Sequence, residues 1–432
     1  MKNKKIAYVA LSVDILHKGH INIIKKASKY GYLIVGLLTD KAIATYRRVP
    51  HLSFEDRKTI VENLKFVDRV VVQNSLDHTE NLIKYKPAFV VHGDDWKDGP
   101  LKSTRLKVIK VLKKWGGKLI EPKYTKNISS TKIKKKINEL GTTPDIRRAK
   151  FKRLIEAKDI TRILECHNPL GGLIVENLQY NKSEKFLEFD GMWSSSLTDS
   201  VSRGMPDNQS VDYTTRINSV NEIFNVTTKP LVFDIDNGGQ IEHLGFVVKK
   251  LESLGVSAII MEDKVGLKKN SLFSDQSNVK QDSIKQFSLK IKKAKSSLVT
   301  NDFFVISRIE SLILGKTVGD ALKRAIEYSK AGSDCIMIHS KDDNPTKIFE
   351  FAKKFKKSEY SRPLIVVPST YSKTYEKDLI KNGIKVVIYA NHLMRSSYFA
   401  MKNTASEILK HKRGYEAEKK MTPVKEIISL IE

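Results

Sequence analysis

The chain has 432 residues, 40% of them hydrophobic, and a formal net charge of +28 from 77 Lys and Arg against 49 Asp and Glu. That length exceeds one typical core and predicts two or three domains. No apolar run approaches the ~18 residues of a membrane span, which argues against a membrane partner and for a cytoplasmic protein.

Two cysteines, Cys166 and Cys335, stand too far apart for a disulfide framework or a zinc site. The lysines are spread over both halves, so the charge reads as a solvated basic surface that attracts phosphorylated substrates rather than as a nucleic-acid footprint. The basic start MKNKKIAYVALSVD reads as a first strand and not a leader, because its apolar stretch is short and runs into Asp14.

Over residues 1–141, strand patterns KIAYVAL, YLIVGLLTD, DRVVVQ and PAFVVHGDD alternate with helical INIIKKASKYG and RKTIVENLKFV, and a short basic helix follows from Lys132 to Leu140. This rhythm predicts a Rossmann-like parallel α/β domain. The pattern breaks at Thr142 and TTPDIRRAKFKRLIEA then becomes a charged helix; residues 142–152 are expected to link the first domain to a second over 153–432. There the strand candidates are GGLIVEN, FLEFDGMW, PLVFDID, SAIIMED, FFVISRIE, CIMIHS, LIVVPS and KVVIYA. Eight such units match the size of a (β/α)8 barrel, and polar residues stand at their C-terminal ends, where barrels build chemistry.

The first strand ends in Asp14-Ile-Leu-His17-Lys-Gly-His20, before a helix. Helix N–H groups and the positive dipole end favour an anion there, and Gly19 lets backbone come close. Imidazoles at that place stabilise charge on a pentacovalent phosphate; a metal pair or surface histidines is the plainer alternative. Ser129-Ser130-Thr131 offers hydroxyls to phosphate oxygens, or simply caps the basic helix.

In this order the two elements resemble the HxGH and ISST-type motifs of the cytidylyltransferase family over about residues 4–140, closest to its glycerol-3-phosphate cytidylyltransferase-like branch. His92-Gly93-Asp94-Asp95-Trp96 is similar to that branch's base-binding turn, and Phe54-Glu55-Asp56-Arg57 to its SxEHR-like segment. The resemblance implies that His17 and His20 stabilise the transferring α-phosphate and that Ser129, Ser130 and Thr131 hold the β,γ-phosphates. It puts Arg48 in the place of a catalytic lysine and Asp14, Gly93, Asp95 and Trp96 in the nucleotide site. The chain departs from the family at Leu11-Ser12-Val13-Asp14, often Gly-Thr-Phe-Asp, and around Tyr124, where Lys123 and Lys126 flank the position of an arginine.

In the second half, Asp234 and Asp236 alternate at a strand end and so share a face. Such a pair suits Mg²⁺ held partly through water, or is simply an acidic loop. Glu262-Asp263-Lys264 is followed, after five residues, by Asn270-Ser271. The stretch between carries Gly266 and two lysines, the composition of a lid that closes over an anion. Arg308 ends another strand, suited to bidentate carboxylate or phosphate binding, and His339 ends the next.

GMWSSSLT, DID, EDKVGLKKNSL, SRIESL, MIHS, VPSTY and ANH occur in an order that resembles the phosphoenolpyruvate mutase/isocitrate lyase superfamily from about Arg153 to residue 430. The lid spacing is similar to the mutase branch; the carbon–carbon lyases carry a lid cysteine that is missing here. The resemblance implies that Trp193, Ser195 and Ser196 bind substrate and that Asp234 contacts Mg²⁺, with Asp207, Asp236 and Glu262 holding it through water. Lys268 and Asn270 would close over the phosphoryl group, and Arg308 and His339 would stabilise moving charge. Ser194 and Ser196 depart from frequent glycines.

The pairing implies phosphonate biosynthesis. The barrel would isomerise phosphoenolpyruvate to phosphonopyruvate, and the first domain would transfer CMP from CTP to a phosphonate such as 2-aminoethylphosphonate. The alternatives are a phosphonopyruvate hydrolase barrel, or a transferase using ATP or a non-phosphonate acceptor. The family resemblance also implies a homo-oligomer, dimer or tetramer, formed through the barrel with exchanged C-terminal helices.

Overall fold

A computed structural model describes residues 5–97, 101–123, 141–182, 185–272, 275, 276 and 278–430. Strands β1 (Ile6–Leu11), β2 (Tyr32–Leu38), β3 (Arg69–Gln73), β4 (Phe89–Val91) and β5 (Lys118–Ile120) form one parallel sheet in the order β3-β2-β1-β4-β5. The order reverses beside β1, so the C-terminal ends of β1 and β4 flank a topological switch point, where such sheets bind ligands. The helix Lys18–Ala27 buries Ile24 and Ala27 against Val9, Leu33 and Val35. The helix Phe54–Glu62 starts in a reciprocal cap between Ser53 and Asp56. Strand β5 was not among the predicted elements; it is only three residues long.

The second domain is a closed eight-strand parallel barrel. Its strands are β6 (Thr161–Glu165), β9 (Gly191–Ser194), β10 (Leu231–Asp234), β11 (Ala258–Glu262), β14 (Phe304–Ile309), β15 (Cys335–Ile338), β16 (Leu364–Val366) and β17 (Ile384–Tyr389). Two antiparallel ribbons lie outside it: β7 (Gln179–Lys182) with β8 (Lys185–Glu188), and β12 (Lys264–Val265) with β13 (Lys280–Gln281). Ile163, Val232, Ile260, Ile306 and Met337 fill the interior, and a larger apolar layer packs helices onto the outside.

Two sequence expectations fail here. GGLIVEN is not a strand: Pro169–Asn177 is a helix, capped by the Asn168 side chain accepting Gly171 N–H, with Pro169 in the first turn. A short apolar run fits a strand or a buried helix equally; the Asn-Pro start decides. The missing barrel strand is β6, whose Arg162 and Glu165 hide it from an apolar pattern.

Residues 142–152 hold the expected charged helix but likewise do more than link the domains. The helix Pro144–Ala157 buries Phe151 completely among the barrel's interior residues. Arg147 donates to the carbonyls of Phe224 and Thr227, and Arg148 to that of Glu252. The helix closes the N-terminal mouth of the barrel and belongs to it. Among the described residues no helix is long and apolar enough to cross a membrane.

Candidate active sites

The first site is a cavity of about 280 Å³ at the switch point, lined by Leu11, Ser12, His17, His20, Arg47, His92, Gly93, Asp95, Trp96 and Lys123 among others. His17 is the N-cap of the helix Lys18–Ala27. Its Nδ1 accepts Gly19 N–H at 3.1 Å, and His20 Nδ1 accepts His17 N–H at 3.4 Å, with the rings stacked 4.0 Å apart. A neutral imidazole accepting at Nδ1 carries its proton on Nε2, so both rings are hydrogen-bond donors at the far edge. Burial, then the charges of His17 and Arg47, push His20 down to about 4; burial also lowers His17. Both are therefore neutral donors at pH 7, not cations.

Trp96 is 1% exposed, stacks on His92 at 3.7 Å and donates its indole N–H to Glu121, which Arg105 holds at 2.7 and 2.9 Å. It is a fixed wall beside Gly93 and Asp95. Asp14 stands outside the lining; its Oδ1 accepts His51 N–H at 2.6 Å and so sets the loop opposite the histidines.

Arg48 is corrected by the structure. Its guanidinium leaves the cavity for Glu176 and Glu188 of the barrel, each at 2.7 Å, and its neighbour Arg47 lines the cavity instead. Ser129, Ser130, Thr131 and the helix expected from Lys132 lie outside the described residues. Arg57, fully buried, joins the ends of β1 and β2 through the carbonyls of Ser12 and Leu38.

The second site sits at the C-terminal ends of the barrel strands. Trp193, Ser195, Asp234, Lys268, Asn270, Ser271, Arg308 and His339 line a cavity of only about 40 Å³. Lys268 Nζ is 2.5 Å from Asp236 Oδ1, 3.4 Å from Asp207 Oδ1 and 3.5 Å from Asp234 Oδ2, and donates to the Ser196 hydroxyl. Asn270 donates to Asp207 at 2.8 Å. The lid is therefore down on the acidic cluster, and a cavity of this size holds about one or two waters.

Ser196 faces Asp234 and Lys268 rather than the cavity. Burial would raise Asp234, yet Lys268, Arg308 and Arg216 bring it to about 2; the same carboxylates overcome burial to raise Lys268. Asp236 holds a left-handed φ of 52°, tolerated by Asp more than by most residues.

Glu310, absent from the sequence expectations, organises this site. It is fully buried; its Oε1 accepts Arg308 Nε at 2.6 Å and lies 3.2 Å from His339 Nδ1, and its Oε2 accepts the Ser271 hydroxyl at 2.5 Å. Lys264 adds 3.0 Å to Glu310 and 2.6 Å to Ser271. Burial and the Arg308 charge lower His339, which is neutral at pH 7. A carboxylate two residues beyond Arg308, one past the end of its strand, in Ser-Arg-Ile-Glu, was the available signal, since alternate extended residues share a face.

Of the expected metal set, Asp207, Asp234 and Asp236 converge on Lys268, and Glu262 Oε2 lies 3.3 Å from Arg308. Asp207 Oδ1, Asp236 Oδ1 and Glu262 Oε2 are buried oxygens that face the cations of Lys268 and Arg308. An all-oxygen, carboxylate donor set fits a hard divalent ion. Among the described residues no three acidic, His or Cys side chains are arranged to hold a metal ion by themselves.

The family model Phosphoenolpyruvate phosphomutase matches residues 151–409, and the model Cytidylyltransferase-like matches residues 12–136. A phosphoenolpyruvate phosphomutase of Tetrahymena pyriformis is 34% identical over 281 residues, 65% of this chain and 89% of the relative. A glycerol-3-phosphate cytidylyltransferase of Staphylococcus aureus is 31% identical over 126 residues, 29% of this chain and 88% of the relative. The crystal structure of a phosphonopyruvate hydrolase complex with oxalate and Mg²⁺ superposes with a TM-score of 0.58 at 29% identity, covering 67% of this chain and 95% of that one. Its barrel thus places the chain in the phosphoenolpyruvate phosphomutase family of enzymes, with a cytidylyltransferase-like domain fused ahead of it.

Proposed function

We propose that the barrel isomerises phosphoenolpyruvate to phosphonopyruvate and that the first domain transfers CMP from CTP to a phosphonate such as 2-aminoethylphosphonate, releasing pyrophosphate. The observation that carries the first half is the lid: Lys268 and Asn270 reach across to Asp207, Asp234 and Asp236 beside the cavity. In the mutase reaction the C–O–P bond breaks and a C–P bond forms at C3 of the same molecule, with no co-reactant. A loose, metaphosphate-like transfer needs positioning and electrostatics, and water must stay out.

Arg308 and neutral His339, both fixed by Glu310, stabilise the phosphoryl and the enolate; Lys268 and Asn270 cover the moving group. Trp193 and Ser195 hold the carboxylate end. Asp234, with Asp207, Asp236 and Glu262 through water, would hold Mg²⁺, which would supply charge neutralisation for the substrate oxygens. The similarity to a phosphonopyruvate hydrolase keeps hydrolysis as the second reading. Against it stands the lowered lid, with Asn270 and Ser271 both pinned.

In the first domain, His17 and His20 donate to the α-phosphate as its charge grows, and Arg47 and Lys123 face the same cavity. A homo-oligomer is also proposed: the helix His392–His411 buries only Met394 and exposes Tyr398, Phe399, Met401 and Leu409, a face that exchanged C-terminal helices would cover. Sedimentation velocity tests that.

Phosphorus NMR tests the activities, first with phosphoenolpyruvate, Mg²⁺ and a phosphonopyruvate trap, then with CTP and candidate acceptors. Release of inorganic phosphate without trapped phosphonopyruvate would establish the hydrolase. CMP transfer only to glycerol 3-phosphate would remove the phosphonate acceptor.

A further inference from the structure

Residues 46–52 touch both domains. Tyr46 and Arg47 line the nucleotide cavity. Arg48 turns to the barrel, with Nη1 2.7 Å from Glu176 Oε1 and Nε 2.7 Å from Glu188 Oε2, and Nη2 donating to the Glu176 carbonyl. Both carboxylates are buried and fixed from behind. Glu176 accepts the Thr227 hydroxyl at 2.8 Å and Thr228 N–H at 2.9 Å, and Glu188 pairs with Lys229 at 2.9 Å.

At the other end of the segment, the carbonyls of His51 and Leu52 accept from Arg153 at 2.7 and 3.0 Å. The same guanidinium is 2.9 Å from Asp40 Oδ2, whose other oxygen holds Arg57 at 2.7 Å. Between the anchors, Val49 packs against Leu154 and Ala157 of the barrel's mouth helix. Arg47 therefore rides on a strap clamped at both ends by barrel side chains. Its Nε is buried and takes no hydrogen bond, and its charge is felt at His20.

We infer that the barrel positions the nucleotide site: Arg48, with Glu176, Glu188 and Arg153, holds the 46–52 strap so that Arg47 faces the phosphates of the bound nucleotide. This rests on the nucleotidyltransferase reading above. Arg48 is thus a positioning residue that acts through Arg47. A bidentate guanidinium on two buried carboxylates fixes orientation as well as distance, and a shift of about 1 Å at a reacting centre can cost about 10²-fold.

The test is a double-mutant cycle on the full chain with Arg47→Ala, Arg48→Ala and both together. It reads kcat/KM for CTP with 2-aminoethylphosphonate or glycerol 3-phosphate, whichever wild type uses faster, beside phosphoenolpyruvate turnover on the same preparations. The expectation is a loss of about tenfold or more in CMP transfer for Arg48→Ala, unchanged phosphoenolpyruvate turnover, partial recovery in Arg48→Lys, and no added loss from Arg48→Ala once Arg47 is Ala. Arg153→Met, which cuts the other anchor, should give the same pattern if Arg48→Ala fails to fold. Wild-type CMP transfer in Arg48→Ala and Arg153→Met, or losses that multiply in the double variant, overturn the inference. Wild type that transfers CMP to neither acceptor overturns the nucleotidyltransferase reading, and the strap with it.

Discussion

The nucleotide cavity, about 280 Å³, is walled on its phosphate side by neutral imidazoles, whereas the barrel cavity, about 40 Å³, is ringed by buried carboxylates, two guanidinium groups and two ammonium groups. The contrast follows from the two reactions proposed. A migration within one molecule has no second substrate to admit and gains from sealing water out, so its site is closed by a charged lid. A transfer must admit nucleotide and acceptor and release a highly charged pyrophosphate. Neutral imidazole donors add to transition-state stabilisation without adding to the charge of Arg47 and Lys123 that would hold that product. The contact between the domains lies at the starts of the barrel strands, around Glu188 and Thr227–Lys229, while Asp234, Glu262 and Arg308 stand at the strand ends. The second site is thus built on the side of the barrel away from the first.

The sharpest way to break this division is at the lid. Lys268→Ala removes the ammonium among Asp207, Asp234 and Asp236. Phosphoenolpyruvate turnover should fall by about 10³-fold, at the upper end for removal of one oriented electrostatic group, with CMP transfer unchanged. Joint loss of both activities would show that the sites are coupled. The mirror experiment is His20→Ala, expected to cost CMP transfer about 10²-fold and leave phosphonopyruvate formation as in wild type. Glu310→Gln should act more mildly on rate, slowing phosphoenolpyruvate turnover by about tenfold as Arg308 and His339 lose their common anchor. It should also lower the thermal midpoint, because breaking a buried ion pair costs about 3–5 kcal/mol. A calorimetric trace matching wild type would remove Glu310 from that role.

Much of the barrel site was legible because its residues close strands: Asp234, Glu262, Arg308 and His339 each end an apolar run, and strand ends of a barrel converge. Glu310 was only half legible: its alternation with Arg308 was a local signal, but its contact with His339 is a cross-site one that no local pattern encodes. Asp207 and Lys268 lie 61 residues apart in number and meet only when the lid is down. The nucleotide histidines were legible as a local motif at a helix start. Arg47 and Arg48 were not separable, since adjacent loop residues differ only in which way the loop turns, and here the barrel decides it. GGLIVEN misled because apolar length alone cannot tell strand from buried helix, although Asn168-Pro169 carried the answer.

The smallest effect tests whether the imidazoles are truly neutral. An ordinary histidine titrates near 6.5, and His20 is lowered to about 4 by burial and by the charges of His17 and Arg47. As pH falls from 8, an unshifted donor pair would begin to protonate around 6.5 and change the rate there. A pair lowered in the free enzyme stays neutral through that range, so kcat/KM for CTP, which reports free-enzyme ionisations, should be flat across 6.5 and bend only well below it. Arg47→Ala removes one of the charges that oppose protonation, so its acid bend should move upward, toward 6.5, whatever the drop in absolute rate. A wild-type kcat/KM that rises as pH falls through 6.5 would mean the histidines work as cations, and the contrast between neutral imidazole donors in one site and paired charges in the other would be lost.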